Sequence, residues 1–145
     1  MDEIKIKNFT ASHPGSNLPT IRHVGREECE TLQIGLAIKL GMPEGSNSLA
    51  ILKTLEVRAS NISDVKPSEE AFVLSDLFER LKLEANNIYI DWSRLDDIDE
   101  MSALEFSAVF HDLWYPSSDD IEIFDQGQKW VLLIRHFDVV QILRI

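Results

Sequence analysis

A chain of 145 residues with 44% hydrophobic content, 25 acidic against 14 basic residues and a formal charge of -11 reads as one domain spanning 1–145, large enough to bury a core. That charge repels nucleic-acid backbones and anionic membranes and either favours a basic protein as partner or only keeps the chain in solution. The lone Cys29 excludes an internal disulfide, Met1-Asp2-Glu3-Ile4-Lys5 lacks the layout of a signal peptide, and no apolar run is long enough to span a bilayer, so the expected location is cytoplasmic.

In chain order, Ile4, Ile6 and Phe9 suggest a short first strand, residues 12–19 a Pro- and Gly-containing loop, and Ile21 to Val24 a brief extended piece. Leu32, Ile34, Leu36, Ile38 and Leu40 alternate, the period of a strand with one buried face. Leu49, Ile51, Leu55 and Val57 resume an extended pattern beyond a loop over 41–47, which completes a long hairpin; Leu49, Leu52 and Leu55 also suit a helix turn. A helix over about 68–84 is expected, capped by Ser68, with Glu69 and Glu70 at the positive end of its dipole and Phe72, Val73, Leu77 and Leu81 facing inward. Ile88, Ile90 and Trp92 alternate as another strand.

A second helix is expected over about 100–114, introduced by Asp96, Asp97, Asp99 and Glu100. Its stripe is Met101, Leu104, Phe106, Val109, Phe110, Leu113 and Trp114, and Pro116 stops it. Ser117 to Asp120 form a polar turn. Ile121, Ile123 and Phe124 read as a strand, Gln126 to Gln128 as a turn, Trp130 to Ile134 as a strand buried on both faces, and Val139 to Ile145 as a final run pairing back. The fold class is therefore α+β, a mainly antiparallel sheet with two amphipathic helices and a C-terminal β-meander.

The chemistry is sparse. There is no GxGxxG, Walker loop, GxSxG, HExxH or CxxC. Asp119, Asp120 and Glu122, with Asp125 near, offer oxygens for a hard cation, but they lack the regular spacing and turning glycine of a calcium loop, and a solvated turn is the simpler reading. His13, His23, His111 and His136 show no ligand spacing, so no metal or cofactor is expected. Asp96, Asp97 and Asp99 complement a helix dipole or form an acidic patch for a basic protein. Trp114 and Tyr115 close a core or, beside Asp119 and Asp120, anchor an interface with a charged rim.

Phe110 to Asp125, with its Trp114-Tyr115-Pro116 turn and paired Asp119-Asp120, followed by Trp130 to His136, resembles bacterial immunity proteins encoded beside polymorphic or contact-dependent growth inhibition toxins. The resemblance covers the last third of the chain. It implies a non-catalytic cytoplasmic protein that binds a cognate toxin with acidic residues facing the basic surface a nuclease toxin needs; the residues expected at such a contact are Asp96, Asp97, Asp99, Trp114, Tyr115, Asp119, Asp120 and Glu122. Two other readings stay open: a small hydrolase or nucleotide-modifying enzyme using Asp119, Asp120 and His136, and a homodimer formed through an exposed edge strand at Val139 to Ile145.

Overall fold

The computed structural model describes residues 1–84 and 86–145. Among the described residues seven antiparallel strands form one sheet: β1 (Thr20–His23), β2 (Ser60–Asn61), β3 (Asn87–Asp91), β4 (Ile98–Ser102), β5 (Ile121–Asp125), β6 (Trp130–Arg135) and β7 (Val139–Arg144), in the spatial order β1-β4-β3-β5-β6-β7-β2. Six helices accompany them among the described residues: α1 (Glu3–Ser12), α2 (Arg26–Lys39), α3 (Ser48–Arg58), α4 (Leu74–Leu81), α5 (Ala103–Ala108) and α6 (Phe110–Leu113). This is the α+β class with the C-terminal meander β5-β6-β7 expected from the sequence. None of the described helices is long and apolar enough to cross a membrane.

Helices cover both sheet faces, which is why the central strands read as almost continuously apolar. Ile88, Ile90, Ile121, Ile123, Leu132 and Ile134 meet α1, α4, α5 and α6 on one face. Tyr89, Phe124, Val131 and Leu133 meet α2 and α3 on the other.

Three predicted extended segments are helices. Asp2 caps α1 by accepting the Ile4 N–H at 2.6 Å, and the residues turned inward are Lys5 and Phe9, one turn apart, while Ile4 and Ile6 face water. The alternation from Leu32 to Leu40 superimposes two helical stripes of α2. Cys29, Leu36 and Ala37 are buried with the following Leu40, whereas Ile34 and Ile38 are 61% and 70% exposed. Asn47 caps α3 through the Ala50 N–H at 2.9 Å, and Ile51 and Leu55 are its buried pair, so the helical alternative noted for Leu49, Leu52 and Leu55 has the right period.

Both predicted helices are shorter than expected. Ser68 is no cap: its N–H and hydroxyl donate to Asp138 in the β6–β7 turn, at 2.9 and 2.5 Å, and α4 starts only at Leu74. It ends before Lys82, which takes a left-handed φ of 52°. The segment 100–114 opens as strand β4. Ser102 then caps α5 by accepting the Glu105 N–H at 3.4 Å, and Val109, at ψ 16°, separates α5 from α6. The run from Val139, expected at an edge, lies between β6 and β2. The sheet edges are β1 and β2, of four and two residues.

Candidate functional site

The predicted binding residues fall into three separate places. Asp96, Asp97 and Asp99 do not precede a helix; they occupy the β3–β4 turn and β4 itself. The Met1 ammonium pairs with Asp97 and, at 3.1 Å, with Asp99. Asp99 is 3% exposed and also accepts Trp92 Nε1–H at 2.9 Å, while His23 Nδ1 on β1 lies 3.2 Å from its other oxygen. His23, Asp97 and Asp99 offer atoms within 4.8 Å of one another, the arrangement a metal ion needs, but here the ammonium is the counter-cation of both carboxylates.

Packing enlarges this acidic turn. Gln33 of α2 donates to Leu95 O at 3.0 Å, and the Cys29 thiol lies 3.9 Å from Asp96 O. The first turns of α2 therefore stand beside Asp96 and Asp97 and bring Glu27, Glu28 and Glu30 with them. The glutamates start that helix because carboxylates favour its positive end. Arg22 of β1 crosses the group, donating to Glu28 at 2.6 and 2.7 Å and to Glu100 at 2.7 Å. Its hydrogen bonds hold the Glu28 carboxyl below the usual range. Against Glu27, Glu28, Glu30, Asp96, Asp97, Asp99 and Glu100 stand Arg22, Arg26, Arg94 and the Met1 ammonium, so this end of the sheet is net negative. Sequence reasoning missed α2's contribution because it read α2 as a strand. Gly25 followed by Glu27 and Glu28, with Lys39 at the far end, was the signal that could have found it.

Trp114 is fully buried, stacked on Phe110 with centroids 5.4 Å apart, and its Nε1–H donates to Asp119 O at 3.1 Å. It closes the core and is not part of a surface anchor. Tyr115 is half-buried, its ring 3.8 Å from the Lys5 ammonium. That ammonium also pairs with the Asp119 carboxylate, which accepts Tyr115 N–H at 2.7 Å. Asp119 is thus committed to the corner that joins α1 to α6. Asp120 points elsewhere: it accepts the His136 N–H at 2.9 Å and lies 2.9 Å from His136 Nδ1. Asp119, Asp120 and His136 do not converge on one point.

Glu122, 3% exposed, lies on the α2/α3 face of the sheet opposite Asp91 of β3 and pairs with Arg135 of β6 at 2.5 Å. Asp91 is fully buried and accepts the Ser93 and Leu95 N–H groups at 3.1 and 2.7 Å. Burial, then the neighbouring Glu122 charge, pushes its pKa up to about 8; burial raises Glu122 as well, against the pull of Arg135. With Asp91 protonated, Glu122 and Arg135 form a neutral buried pair. Cys29 is 1% exposed, and burial pushes its thiol up, which removes it as a nucleophile.

Comparisons of the chain with protein-family models, curated proteins and solved structures give no match.

Proposed function

We propose that this chain is a non-catalytic, cytoplasmic binding protein, an immunity protein that neutralises a cognate toxin by covering its basic surface. The observation that carries the reading is the acidic end of the sheet, where the β3–β4 turn and the start of α2 gather carboxylates from two distant stretches of sequence. Several of the cations elsewhere in the chain are engaged internally. Lys5 and Arg135 pair with Asp119 and Glu122, while Lys39, Arg58 and Arg144 donate to backbone carbonyls. The acidic end of the sheet keeps its excess of carboxylates, which would steer a basic partner. Of the residues expected at the contact, Asp96, Asp97, Asp120 and Tyr115 retain exposed surface for that role; Asp99, Trp114 and Glu122 are buried, and Asp119 is held by Lys5.

The direct test is binding to the product of the adjacent open reading frame, together with growth of cells that co-express the two. A Kd of about 1 nM or tighter, with rescue of growth, is the expected result. A neighbour that neither binds nor arrests growth overturns the reading.

A further inference from the structure

A second site lies on the sheet face that carries Glu122 and Arg135. A cleft of about 560 Å³ opens there between α3 and the β3–β4 turn. The Glu122–Arg135 pair lines it, and Asp91 stays sealed, holding the turn in shape through two backbone amides. Arg94 and Leu95 consequently sit at φ 55° and 61°, conformations that non-glycine residues rarely adopt, so this wall of the cleft is fixed in advance.

We propose that this cleft binds a small zwitterion of the free α-amino acid class, an activity separate from the toxin-binding reading. The first argument is the state of Arg135. It is 7% exposed, yet its side chain makes one hydrogen bond among the described residues, from Nη1 to Glu122 Oε1, out of the five a guanidinium can donate. A desolvated cation with donors left over on a cleft wall is built to receive a planar anion such as a carboxylate.

Charge supplies the second argument. Lys53, Arg94 and Arg135 line the cleft together with Glu56, Asp120 and Glu122. A ligand of one sign gains from one set and loses to the other, so neither a simple anion, nor a nucleotide, nor a simple cation is favoured. A molecule carrying an ammonium and a carboxylate gains from both when oriented. Leu49 and Leu52 add an apolar patch against which an amino-acid side chain can lie, and the volume falls within the range of small-molecule sites.

The experiment is a titration of the purified chain with each of the twenty free L-amino acids, read by ligand-observed NMR and thermal shift, with acetate and methylammonium as single-charge probes. At least one amino acid should bind, with both probes at least about tenfold weaker. Arg94→Ala and Glu56→Ala change exposed side chains; each should weaken that amino acid by at least about tenfold while the circular dichroism spectrum stays unchanged. Failure of every amino acid to bind at about 10 mM, equal binding of the single-charge probes, or unchanged affinity in both variants overturns the proposal. Partner binding through the acidic end is measured separately and survives any of these results.

Discussion

Lys5 carries a charge into the core and is 5% exposed; its ammonium donates to Leu113 O at 2.7 Å, pairs with Asp119 and lies 3.8 Å from the Tyr115 ring centre. Removing one partner strands the other. Lys5→Ala should therefore cost about 3 kcal/mol in urea unfolding, and Lys5→Met with Asp119→Asn should recover much of it. Equal losses in the single and double variants would show that packing, and not the charge pair, is responsible. Asp91 gives the pH dependence. Its pKa near 8 in the folded chain stands above the unfolded value of about 4, so the folded state holds a proton that the unfolded state releases between those limits. Its contribution is complete below about pH 4 and is lost as pH rises towards 8, with a slope of at most about 1.4 kcal/mol per unit. Urea midpoints of the wild type should fall more steeply across that window than those of Asp91→Asn; parallel curves would rule the assignment out. Cys29 should resist iodoacetamide until the chain is unfolded, as its burial and raised pKa require.

At the level of single elements, Ser102 holds the junction between β4 and α5, and Ser102→Ala should lower stability by about 1 kcal/mol, measured by thermal or urea unfolding. The same junction shows what the sequence made legible. Strand β6 was readable because burial on both faces demands a run such as Trp130 to Ile134, β3 because Ile88, Ile90 and Trp92 alternate, and the stop at Pro116 was readable from covalent geometry alone. Helices α1 and α2 were not, because alternating apolar residues matched the period of a strand while the third and fourth neighbours that decide burial were passed over, and α3 was legible only as the alternative that Leu49, Leu52 and Leu55 offered. The caps at Asp2, Asn47 and Ser102, the last with Glu105 three residues on, were the local evidence that outweighs alternation. Of the candidate site, Asp96, Asp97 and Asp120 were visible as exposed carboxylates. Arg22, Asp91 and Arg135 were not singled out, because a polar residue at an inward strand position declares itself only once the register pairs it, as Asp91 pairs with Glu122.

Across the whole molecule, on the proposed reading, a charge of -11 would set the rate at which a basic partner arrives. Asp96→Lys with Glu30→Lys should slow association about tenfold and flatten its dependence on salt while leaving thermal stability nearly unchanged, as stopped-flow and calorimetry can show. An unaltered salt slope would place the contact on another surface. The strand order carries a separate consequence for how the chain is made. β5 and β6 occupy the middle of the sheet, yet they come from residues 121–135, after nearly all the helical segments that pack on them. During synthesis the greasy sides of α1 to α4 leave the ribosome with no platform to rest on, so cooperative folding waits for the last strands and nascent chains halted before Ile121 depend on chaperones.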